Sequence, residues 1–165
     1  MRNKPTRFGG LLDAAIALPA IGADDPSYSG VAVDQSTNTL IIYRVKARSN
    51  RVADSRIEAR YRDVAPTGVR VSFQAALLSL ADVNELNTIV ESSLDEFAAA
   101  GFEPTHWGPD GAFRVFTVGS HGADSPPVSV RSRFGRYFDN GLVRFAPTGA
   151  VALAASLEPR PKSAD

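Results

Sequence analysis

Two short runs, Tyr28-Ser29-Gly30-Val31-Ala32-Val33-Asp34 and Thr39-Leu40-Ile41-Ile42-Tyr43-Arg44-Val45, flank the polar tetrapeptide Gln35-Ser36-Thr37-Asn38. β-branched and aromatic residues favour the pleated strand, and two such runs joined by a short polar turn predict a hairpin. A hairpin commits the chain to a sheet, and a sheet needs cover on at least one face. In the second run Ile41, Tyr43 and Val45 share one face, while Leu40, Ile42, Arg44 and Lys46 share the other. The first set is wholly apolar and is expected against the core, which sends the second outward.

Helical patterns supply the cover. Ala53, Ile57, Tyr61 and Val64 recur at four, four and three residues, one apolar stripe ended by Pro66 and Gly68. Residues 69–74 read as a third strand with Val69, Val71 and Phe73 inward. Ser79 followed by Asp82 has the form of a capping box, and Val83, Leu86, Val90, Leu94 and Phe97 then mark one long helix closed at Gly101. Residues 102–107 and 112–118 read as strands around the turn Gly108-Pro109-Asp110-Gly111. A loop at 119–127 leads to a short helix at 128–138, the turn Asn140-Gly141, a strand at 142–145 and a partner for it at 150–155. No internal repeat is visible.

This order predicts the α+β class: a largely antiparallel sheet with two or three helices on one face, ferredoxin-like or pro-domain-like. One domain is expected over residues 27–157, with a disordered tail from 158. Residues 1–26 read as a flexible arm or a degenerate signal segment, because Arg2, Lys4 and Arg7 precede an apolar stretch that Asp13 and Pro19 interrupt. That weak signal favours the cytoplasm over secretion. No apolar run approaches the roughly 20 residues of a membrane span.

Composition excludes several function classes. The 165 residues contain no cysteine, hence no disulfide, thiolate metal site or cysteine nucleophile. Net charge is zero, so no global field attracts nucleic acid. Charge is nevertheless segregated: eight basic residues lie between Arg44 and Arg70, and eight acidic ones between Asp82 and Asp124. The simplest expectation is that the two stretches neutralise each other. No phosphate loop, dinucleotide fingerprint or metalloprotease helix is present, so neither cofactor nor metal is expected. Only His106 and His121 titrate near neutrality. Ser120, His121 and Asp124 are the residue types of a hydrolase triad, yet neighbours on a Gly-rich loop rarely converge, and a solvated loop is the expectation.

The hairpin Tyr28–Asp34 and Thr39–Val45, with the helix, strand, Ser79-led helix and closing strands that follow to about residue 118, resembles the opening of the pro-domains of alpha-lytic-type secreted bacterial serine proteases. The resemblance implies a bacterial domain that presents its sheet to a partner protein, with a protease as one class of partner. The sequence holds no Gly-Asp-Ser-Gly-Gly nucleophile segment, so the resemblance does not extend to proteolysis.

The expected function is therefore a non-enzymatic protein-binding module, inhibitor- or chaperone-like. Its expected surface is an open sheet face bearing Leu40, Ile42, Arg44, Lys46 and Arg70, with Arg114 and Phe116 beside them. An apolar centre rimmed by arginine is the composition of interaction surfaces. Two alternatives stand: a single-stranded nucleic-acid binder, whose bases would stack on such a sheet, and a small enzyme using His106 or His121.

Overall fold

Eleven helices and strands appear in a computed structural model that describes residues 9–46, 51–121 and 126–147. They confirm the α+β class. The strands form two separate three-stranded mixed sheets, and the chain divides into two compact units where the sequence predicted one domain. The first unit comprises Met1–Glu85 and Pro109–Arg114, the second Leu86–Gly108 and Val115–Asp165.

The first unit contains α1 (Gly9–Gly22), β1 (Tyr28–Asp34), β2 (Thr39–Val45), α2 (Arg51–Val64) and β3 (Arg70–Ala76). The predicted hairpin forms with Val31 opposite Ile42 and Val33 opposite Leu40. The Asp34 carboxylate accepts from the hydroxyls of Ser36 and Thr37 and from both backbone amides, which fixes the turn. Helix α2 then returns the chain to the same end of the sheet, so β3 pairs with β2 in parallel, Leu40 beside Val71 and Ile42 beside Phe73.

Strand parity in β2 is the reverse of the sequence expectation. Leu40 and Ile42 are fully buried in the core with Leu11, Leu18, Tyr28 and Tyr61, and Val71 and Phe73 pack against them. Ile41, Tyr43 and Val45 occupy the other face, where Phe113 lies 5.6 Å from the Tyr43 ring. Phe113 also closes over Gly30, at which any Cβ would collide with its ring. It adopts φ +56°, so the strand predicted from residue 112 cannot begin there.

Helix α1 is likewise no loose arm. Leu11 and Leu18 are buried to 2% and 1% exposure, with Ala14, Ala15 and Ile21 packed alongside. The apolar stretch that resembled a signal segment is the third wall of the first core.

The second unit is built from the end of α3 (Leu80–Ser92), α4 (Leu94–Ala99), β4 (Glu103–Pro109), β5 (Phe116–His121), α5 (Val128–Asp139) and β6 (Val143–Pro147). The capping box forms as predicted at the start of α3: Ser79 donates to the Asp82 carboxylate from both its amide and hydroxyl, and the Asp82 amide donates to the Ser79 hydroxyl. The single predicted helix breaks at Ser93, where the Ser92-Ser93 pair offers the backbone competing partners. Phe97, Phe102, Phe134 and Phe145 then form an aromatic cluster with ring centroids 5.3 to 6.1 Å apart. Strand order is β4-β5-β6, with β5 and β6 parallel: Phe116 beside Val143 and Val118 beside Phe145.

Each unit thus runs helix, hairpin, helix, parallel strand, with the second strand of the hairpin central. This is a repeat of layout that the sequence does not show. The strand predicted at 150–155 and the tail from 158 lie outside the described residues.

Candidate protein-binding surface

Arg44 is 4% exposed, although an exposed position was expected. Its Nε donates to Asp25 at 2.7 Å, and its terminal nitrogens reach Asp54 at 3.3 Å and Glu58 at 3.8 Å. The Tyr61 hydroxyl donates to the same Asp25 carboxylate at 3.0 Å. A guanidinium leaves water only when carboxylates and hydrogen bonds replace its hydration. Burial alone would raise the Asp25 carboxyl, but the bond and charge from Arg44, with the Ser27 amide and Tyr61 hydroxyl, outweigh it and hold the group below its ordinary range. Burial, reinforced by the Asp25 charge, pushes the Tyr61 hydroxyl well above its usual value, so it stays a donor.

The other expected surface residues scatter. Lys46, Arg70 and Arg114 are exposed, whereas Leu40, Ile42 and Phe116 are fully buried. Arg70 pairs with Thr39, which puts it on the side of the sheet opposite Arg44, and its Nη2 donates to the Thr37 carbonyl at 2.7 Å. The seven residues therefore share no single face. The missed signal lay in α2: Asp54, Glu58 and Tyr61 fall on one stripe of that helix, a set of acceptors and a hydroxyl suited to a buried cation.

The histidines do not assemble a catalytic group among the described residues. His106 is exposed, covers Gly119 and has Thr105 Oγ1 3.1 Å from its Nδ1. Ser120 and His121 are consecutive in β5, so their side chains leave opposite faces, the serine buried and the histidine exposed. Asp124 lies outside the described residues. No group of His, Asp and Glu among the described residues is arranged to hold a metal, and none of their helices is long and apolar enough to cross a membrane.

What the second unit does offer is a hollow of about 350 Å³ lined by Val115, Pro126, Arg131, Phe138, Gly141, Val143, Arg144 and Phe145. Its location follows from strand geometry. Val143, Arg144 and Phe145 are consecutive in β6, and neighbours on a strand point to opposite faces. A hollow touched by all three reaches side chains from both faces of β6, and Val115 and Gly141 extend it to the end where β5 and β6 begin. Strand β6 is the last in its sheet and is hydrogen-bonded on one side only among the described residues. Helix α5 supplies the far wall. Val130, Phe134 and Tyr137 turn inward, which leaves Arg131 and Phe138 on the flank, with the Arg131 guanidinium 5.9 Å from the Phe138 ring centre. Phe138 in turn packs on Phe145 at 5.9 Å.

The electrostatics of the hollow are one-sided. Arg131 and Arg144 line it, and among the described residues no carboxylate does and no ion pair to either arginine is found. Arg131 Nε is shielded from solvent and has no hydrogen-bond partner. No family model, curated protein or solved structure matches the chain.

Proposed function

We propose that this chain is a non-enzymatic protein-binding module, inhibitor- or chaperone-like, that takes up an extended segment of its partner along β6. The observation that carries this reading is the coincidence of a strand, β6, that is paired on one side only among the described residues with an arginine- and phenylalanine-walled hollow against it. A sheet border offers unpaired backbone donors and acceptors to any extended chain, and a neighbouring pocket selects among side chains. Arginine and aromatic residues are the types enriched where proteins meet. The resemblance to protease pro-domains implies the same class of function, and it names a secreted serine protease as one class of partner. The binding site moves, however, from the sheet face expected from sequence to the border of the second sheet.

The test is selection of binders from a randomised nine-residue peptide library displayed against the full chain. Enriched peptides are expected to alternate apolar and polar residues and to slow amide exchange in β6. They should lose binding when alternate peptide nitrogens are methylated, which removes one hydrogen-bonding edge and keeps every side chain. Enriched peptides that bind equally well when methylated, or that leave exchange in β6 unchanged, would end the proposal.

A further inference from the structure

Resting on that reading, we infer that the partner segment is acidic: a Glu or Asp side chain of the added strand enters the hollow and sits between Arg131 and Arg144. Two observations converge on this. Arg131 and Arg144 both line one small hollow, and no carboxylate of the described residues answers either of them. The walls of Val115, Phe138 and Phe145 lower the local dielectric, which strengthens a charge-assisted bond formed there.

The contrast with Arg44 sharpens the inference. That guanidinium is also taken out of water, and the chain surrounds it with Asp25, Asp54 and Glu58. Arg133, near Arg131 in the same helix, is paired with Glu96. The described residues thus answer Arg44 and Arg133 from within, and supply no carboxylate to Arg131 or Arg144.

The probe is a fluorescein-labelled nine-residue peptide of alternating threonine and valine with a central glutamate, compared with versions carrying glutamine or lysine at the centre. Binding to the full chain is read by fluorescence anisotropy. The glutamate peptide is expected to bind at least about tenfold more tightly than the glutamine peptide, and the lysine peptide most weakly. That advantage should vanish in Arg144→Gln, an exposed position whose replacement leaves the core untouched, and should shrink in Arg131→Lys, which keeps the charge and loses the fork. Equal binding of the glutamate and glutamine peptides to the unaltered chain would overturn the acidic inference and leave strand addition standing. Undiminished glutamate preference in an alternately N-methylated peptide would do the reverse. Failure of all three peptides to bind counts against both.

Discussion

At the scale of single residues the decisive group is Arg44. It stands among Leu40, Ile42 and Val45 in β2, and its burial is made tolerable by Asp25, Asp54, Glu58 and the Tyr61 hydroxyl. Arg44→Ala strands the Asp25 carboxylate in an apolar setting, and is expected to cost about 3–5 kcal/mol in urea denaturation at pH 7. Because Asp25 is held below its ordinary range when folded, its contribution is complete above the unfolded value near 4 and fades as pH falls through the lower folded one. Asp34, brought down to about 2 by the Ser36 and Thr37 hydroxyls, acts in the same direction. The urea midpoint of the unaltered chain should therefore drop steeply between about pH 4 and 2, and the drop should be shallower in Arg44→Ala. Equal slopes would mean that the ion pair does not govern acid stability. Sequence alone placed Arg44 on a strand but on the wrong side of it. Both faces of β2 are apolar, and counting greasy residues favours Ile41, Tyr43 and Val45, whereas the paired cation belongs with Leu40 and Ile42.

At the scale of elements, legibility followed local chemistry. Strands β1 and β2, the Ser79–Asp82 cap and the turn at Gly101, where φ is +75°, were readable because neighbours in sequence decide them. The break at Ser93, the late start of β5 and the role of α1 were not. The late start of β5 and the role of α1 depend on contacts distant in sequence, Phe113 closing over Gly30 and Leu18 entering the cluster with Ile42 and Tyr61. Helix α1 allows a clean check. Leu18→Ala empties a fully buried site and is expected to cost about 2–5 kcal/mol, while Ile16→Ala, at a position 71% exposed, should stay within about 0.5 kcal/mol. Thermal denaturation of the two variants separates an integral helix from a loose arm, since a loose arm would make both substitutions silent. The candidate hollow was hidden for the same reason: Arg131 and Phe138 on α5 meet Arg144 and Phe145 on β6 only through the fold.

For the whole molecule, zero net charge and an isoelectric point near 6.7 leave little repulsion between copies at neutral pH. Solubility is expected to pass through a minimum close to that pH and to rise on either side, as ammonium sulfate precipitation midpoints between pH 5 and 9 would reveal. A flat profile would show that local patches, not the overall balance, control self-association. The segregated charges resolve locally: the ion pairs seen in the basic stretch run from Arg44, Arg60 and Arg62 to Asp24, Asp25, Asp54 and Glu58 of the same unit.

The twofold use of one layout has a further consequence. Ser72 stands between Val71 and Phe73 of β3 as Arg144 stands between Val143 and Phe145 of β6. Two scaffolds of like topology, each filling its own interior, give evolution a draft and a fair copy. Side chains on one outer strand can therefore change one at a time without disturbing the core that the other unit fills for itself.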